Sequence, residues 1–214
     1  MSGIFITFEG VEGGGKTTNI EFVAKALEKA GKPIVLTREP GGTKVSEAIR
    51  EVLLSKELPA MHHDTELLLM FAARAEHLQS KILPALAQGK WVLCDRFTDA
   101  SYAYQGGGRG IDVSRIATLE TWVQGDCRPD YTFLFDLDAQ TGLSRVRSRG
   151  ETDRIEQESI DFFNRIRAKY LEMAKQHSDR YRIINAQADL PQVQQQVADV
   201  LSDIINTQQA NTLI

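Results

Sequence analysis

Cysteine is scarce in this chain of 214 residues, and long apolar runs are missing. The two cysteines, Cys94 and Cys127, have neither metal-ligand nor oxidoreductase spacing, so neither a disulfide framework nor a thiol-based centre is expected. No run approaches the roughly 18 apolar residues of a membrane span. A cationic excess is lacking too. The formal net charge is −4, whereas a general nucleic-acid binder needs a basic face for phosphate. The four histidines have no accompanying Cys or carboxylate cluster, so metal ligation by them is not expected. With no repeat, biased tract or linker-like shift, residues 1–214 are expected to form a single domain. No charged-then-apolar leader precedes the first strand-like run, which makes a reducing cytoplasm the expected compartment.

Short β-rich runs alternate with longer helical patterns. Residues 4–8 (IFITF), 33–36 (PIVL), 91–94 (WVLC), 131–135 (YTFLF) and 181–184 (YRII) read as five buried strands. Helical patterns cover about 16–30, 44–54, 64–87, 139–148, 158–176 and 190–207. This alternation predicts an α/β domain with right-handed crossovers, in which ligands bind beyond the C-terminal ends of the strands. The stretches 105–110 and 145–154 read as mobile, and the polar tail from about Asn206 as frayed.

Directly after the first strand stands Gly10-Val11-Glu12-Gly13-Gly14-Gly15-Lys16-Thr17, a full match to G-x-x-x-x-G-K-[ST]. Its glycines let backbone N–H groups surround a β-phosphate, Lys16 reaches the β- and γ-phosphates, and the Thr17 hydroxyl ligates Mg²⁺. The following helix adds the positive end of its dipole. The variable positions carry Glu12 and no Lys or Arg. The cation that phosphoryl transfer commonly needs must therefore come from elsewhere.

Three further features suit that chemistry, each with a plainer alternative. The third strand ends in Cys94-Asp95-Arg96: Asp95 is placed to hold Mg²⁺ and Arg96 to bind phosphate, or the two form a structural ion pair. Arg74 lies on an apolar helical stripe, sharing a face with Phe71. This pair either stacks on and bonds a nucleobase, or Phe71 is core and Arg74 snorkels outward. The run Arg145-Val146-Arg147-Ser148-Arg149-Gly150 is either a charged helix end or a closing lid that brings arginine to the transferring phosphoryl. The cation-free glycine loop favours the lid, at about 145–156. The guanine and γ-phosphate motifs of a switch GTPase are absent from the sequence, so a small-molecule kinase is the better reading.

Taken together, several segments resemble the bacterial thymidylate kinase family, in the lid-arginine form. They are residues 8–17, 37–43 (TREPGGT), 71–74 (FAAR), 95–97 (DRF), 101–109 (SYAYQGGGR) and 145–156. The resemblance implies a three-layer P-loop nucleotide kinase fold with a five-stranded parallel sheet flanked by helices, and a homodimer. It implies ATP with Mg²⁺ as donor and dTMP as acceptor. Phe71 would stack on thymine, Arg74 would bond it, and Ser101 and Gln105 would lie near the base. Tyr104 would crowd the ribose 2′ position, Glu12 would approach the acceptor's sugar and phosphate, and Arg96, Arg38 and Arg50 would hold the 5′-phosphate. Lys16, Arg96, Arg149, Glu12 and Asp95 are then the candidate catalytic residues, with Thr17 and Asp95 at the metal.

Overall fold

The computed structural model of the chain describes residues 3–148, 150 and 153–212. The five apolar runs form strands β1 (Phe5–Glu9), β2 (Ile34–Arg38), β3 (Trp91–Asp95), β4 (Tyr131–Asp136) and β5 (Tyr181–Asn185). All pair in parallel, in the order β2-β3-β1-β4-β5. The chain leaves central β1 toward one edge and later returns to fill the other. The C-terminal end of β1, where the glycine loop begins, is therefore the topological switch point.

The helices are α1 (Lys16–Lys29), α2 (Lys44–Leu54), α3 (His63–His77), α4 (Leu83–Ala87), α5 (Thr98–Ser101), α6 (Val113–Gln124), α7 (Ala139–Arg147), α8 (Ile160–Gln176) and α9 (Leu190–Thr212). Strand side chains alternate between faces. Ile6, Phe8 and Leu93 join Val23 and Leu27 of α1 and Val197 and Leu201 of α9 in one cluster. Phe5, Val92 and Cys94 join Leu78, Ile82 and Ala85 in another. Each such fully buried side chain contributes on the order of 2 kcal/mol. Asp138 and Ser159 cap α7 and α8 by accepting from the Thr141 and Phe162 amides, each worth about 1 kcal/mol.

Four expectations are corrected. The outer strands β2 and β5 are only partly buried, because each has a single neighbour in the sheet. The helix expected over 64–87 is α3, a π-helical turn at Leu78–Ile82, and α4 with Pro84 in its first turn. The stretch expected to be mobile at 105–110 belongs largely to a π-helical segment, Tyr102–Gly108, followed by the unforeseen α6. Its glycines serve close packing rather than freedom: a Cβ on Gly108 would lie 2.5 Å from the Phe162 ring of α8. The tail is helical through Thr212.

Candidate active site

The glycine loop joins β1 to α1 as its motif requires, with Gly10, Gly13 and Gly15 all at positive φ. Lys16 is buried, and its Nζ donates to the carbonyls of Gly10 and Val11 at 3.1 and 3.0 Å. Burial, reinforced by nearby Arg96, lowers its pKa to about 8. The loop's cleft is lined by residues 12–18 together with Arg38, Glu39, Arg50, Asp95, Arg96, Asp153 and Glu156. Asp95 Oδ1 is buried with no hydrogen-bond partner among the described residues, which leaves an anionic oxygen available beside exposed Thr17.

Arg96 stands where this cleft meets a second cavity, and it lines both. It has φ 66, a left-handed conformation that non-glycine residues adopt mainly under constraint. Its Nη1 donates to the Gly10 carbonyl at 2.8 Å and its Nη2 to Glu12 Oε1 at 2.9 Å, while its guanidinium lies 4.8 Å from the centre of the Tyr104 ring. Tyr104 donates to the same Glu12 oxygen at 2.6 Å. Burial pushes the Tyr104 phenol well above its usual pKa, so it remains a donor.

Behind Arg96 lies Glu9, which sequence reasoning did not assign. Its Oε1 accepts from the Phe97 amide at 2.7 Å and its Oε2 from the Tyr170 hydroxyl at 2.6 Å. Glu9 thus ties down the residue that follows the strained Arg96. Burial, and then the Asp99 carboxylate, raise its pKa to about 8.

Arg74, Ser101, Tyr104, Gln105 and Arg50 line the second cavity. Arg74 is buried rather than snorkelling. Its Nε donates to Glu39 at 2.7 Å, and its Nη2 donates to the Phe97 carbonyl and to Ser101 Oγ. Arg74 Nη1 and Gln105 Oε1 have no partner among the described residues, one donor and one acceptor left over at the same cavity. Arg50 donates to the Pro40 carbonyl, whereas Arg38 is half exposed, pairs with Glu47 and lines the outer cleft but not the inner cavity.

Phe71 packs in a core cluster with Leu67, Ile111 and Ile116 and is not among the residues lining the cavity. It does carry the Arg74 guanidinium, 4.6 Å from its ring centre. Met70, four residues before Arg74 and hence on its helical face, forms the apolar wall instead.

The arginine-rich segment divides. Arg145 reaches the carbonyls of Gly13 and Ala186, and Arg147 is exposed; both sit in the last turn of α7 and neither lines the phosphate cleft. Arg149 lies outside the described residues. Arg154 turns inward to Glu66, a buried carboxylate of α3 that also takes Gln105 and Arg109. Burial alone would raise the Glu66 pKa, but the bonds from Arg109, Gln105 and Arg154 hold it low. No sequence signal marks Glu66, because its partners come from two segments far from it along the chain, Gln105 with Arg109 and Arg154. Cys94 is buried with its pKa pushed well up, an inert apolar filler.

Residues 8–197 match the family model described as thymidylate kinase. A thymidylate kinase of Pseudomonas entomophila (strain L48) is 55% identical over 205 residues, 96% of this chain and 98% of the relative. Another, from Alcanivorax borkumensis, is 53% identical over 204 residues, 95% of this chain and 98% of that protein. The crystal structure of thymidylate kinase from Ehrlichia chaffeensis superimposes with a TM-score of 0.77 at 36% identity, covering 94% of this chain and 99% of that one.

Proposed function

Since the chain belongs to the thymidylate kinase family, we propose that it transfers the γ-phosphoryl group of ATP, bound with Mg²⁺, to the 5′-phosphate of dTMP, yielding dTDP and ADP. It is an enzyme, a dTMP kinase. The observation that carries the mechanistic reading is the junction of the two cavities: Glu12, Arg50 and Arg96 line both the glycine-loop cleft and the cavity of Arg74 and Gln105.

The donor's phosphates lie along the glycine loop, where Lys16 exchanges its two carbonyl contacts for phosphate oxygens. The acceptor's base enters between Met70 and Phe97, facing the spare donor of Arg74 and the spare acceptor of Gln105. Those two groups match an edge that offers a carbonyl beside an N–H, as thymine does. Tyr104, fixed by Glu12, forms the wall at the sugar and disfavours a 2′-hydroxyl. Arg96 and Arg50 neutralise the acceptor phosphate. That phosphate is already largely dianionic near neutral pH, with a second pKa of about 6, so positioning and charge neutralisation replace a general base. Thr17 and Asp95 would hold Mg²⁺, which supplies charge neutralisation on the donor phosphates. The cation for the transferring phosphoryl is assigned to Arg149 in a lid at about 145–156.

The whole of 1–214 is read as one kinase domain acting in the cytoplasm as a homodimer. Adjacent helices α2, α3 and α6 expose Val52, Leu68 and Trp122, an apolar face suited to a second copy. Sedimentation of Trp122→Glu tests this; a variant no more monomeric than wild type would sink it. No helix among the described residues is long and apolar enough to cross a membrane. The catalytic reading is tested by coupled ADP release with a panel of nucleosides and monophosphates. Preference for any acceptor over dTMP would overturn the base assignment.

A further inference from the structure

Beside Arg74 runs a chain of polar groups to which the proposed phosphoryl transfer assigns no role. Arg74 Nε donates to Glu39 Oε2 at 2.7 Å, and the other carboxylate oxygen, Oε1, meets His77 Nδ1 at 3.0 Å. His77 Nε2 in turn meets Thr37 Oγ1 at 2.6 Å. Thr37 lies on β2 and Glu39 in the loop after it, while Arg74 and His77 are three residues apart on α3 and share a face. His77 is fully buried. Gly42, at φ 91, makes room for the last link: a Cβ there would lie 2.5 Å from both His77 Nε2 and Thr37 Oγ1.

One pairing satisfies every group. The imidazole donates from Nδ1 to the carboxylate, and Nε2 accepts the Thr37 hydroxyl proton. Glu39 is then held at both oxygens, and the Arg74 guanidinium is held at two of its three nitrogens. Nε is fixed by Glu39, and Nη2 by the Phe97 carbonyl and Ser101. Two fixed nitrogens define the guanidinium plane and leave Nη1 as the ligand-binding nitrogen. The plane also lies against the rings of Phe71 and Phe97, at 4.6 and 5.3 Å.

We propose that Thr37, His77 and Glu39 form a positioning relay that sets the pose of Arg74, which makes His77 a specificity-determining positioning residue for the acceptor. The inference rests on the reading that Arg74 contacts the acceptor base. Without His77, Glu39 Oε1 is a buried carboxylate oxygen lacking its partner, and the carboxylate rotates to find another, taking Arg74 Nε with it.

Steady-state kinetics of the full-length protein test the relay through His77→Asn, His77→Gln and His77→Leu. An asparagine amide nitrogen can stand where Nδ1 stood and keep the Glu39 contact; a glutamine amide oxygen reaches the Nε2 position and accepts the Thr37 hydroxyl proton instead. Leucine should raise the acceptor KM about tenfold, the scale of one buried hydrogen bond to a charged group. Glutamine should behave like leucine, and asparagine should stay within about threefold of wild type. The kcat and the ATP KM should change less than about twofold throughout. In an Arg74→Ala background, His77→Leu should raise the acceptor KM no further.

Equal effects of asparagine and glutamine, a loss confined to kcat or the ATP KM, or full additivity with Arg74→Ala would each overturn the relay. A leucine variant that melts lower with its acceptor KM unchanged would do so as well. The series is run on whichever monophosphate the wild-type enzyme turns over best. A wrong base assignment then changes the preferred acceptor, whereas a wrong relay changes the ranking of the variants.

Discussion

The substitution Glu9→Gln keeps the shape of the side chain and removes its titration. In the folded protein Glu9 is buried beside Asp99, and its pKa rises from 4.5 to about 8. A folded pKa above the unfolded value means that the native state keeps a proton which the unfolded chain releases. The resulting stability is fully present below about pH 4.5 and is lost as the pH rises toward 8. Each pH step inside that window removes about 1.4 kcal/mol, so roughly 3 kcal/mol should disappear between about pH 5.5 and 7.5. A glutamine at this position imitates the protonated carboxyl: its carbonyl accepts from the Phe97 amide, and its NH₂ group donates to the Tyr170 oxygen. The assay is urea unfolding of both proteins at half-unit pH intervals, with the difference in free energy plotted against pH. The variant should gain on wild type by roughly 3 kcal/mol across the window. Parallel profiles would refute the argument, because they would mean that Glu9 ionises alike in both states.

Three further outcomes are expected. Glu66→Ala leaves partly buried Arg154 without its carboxylate and Arg109 with Glu158 alone, and urea melts should show a loss of about 3–5 kcal/mol; a loss below about 1 kcal/mol would mean that the arginines find water instead. The buried Lys16 ammonium, with its pKa lowered to about 8, must be charged to hold phosphate. ATP affinity measured by calorimetry should be level below that pH and then fall by up to about tenfold per unit above it, and a flat profile to about pH 9.5 would contradict this. Arg149→Ala should lower kcat by about a thousandfold while the ATP dissociation constant moves less than about threefold. Equal loss in both would remove it from the transferring phosphoryl.

Much of the fold could be read from the sequence because its signals are local. Each buried strand is a short apolar run, and the glycine loop sits at the one strand–helix junction where its spacing makes physical sense. The 98–124 region defeated pattern reading, since three consecutive glycines look like a flexible loop. Only contact with Phe162 reveals them as a packing surface. The site residues divide along the same line. Lys16, Arg96 and Arg74 could be picked out from the glycine-loop motif, a strand end and an apolar stripe, whereas Tyr104 came only from the family resemblance. Phe71 and Met70 are neighbours in sequence, so choosing which of them faces a cavity needs the helix rotation that tertiary packing sets. Glu9, Glu39, Glu66 and His77 were beyond reach. Each gains its meaning from partners 35 or more residues away, and nothing in a carboxylate's own neighbourhood announces burial.

The central claim is a transfer between two adjoining cavities, and the fate of a labelled phosphoryl group tests it most directly. Wild-type protein incubated with γ-labelled ATP, Mg²⁺ and dTMP should place the label on the β-phosphate of dTDP, one label per ADP formed, and release little inorganic phosphate. Label appearing as free phosphate at the same rate with or without dTMP would contradict the account.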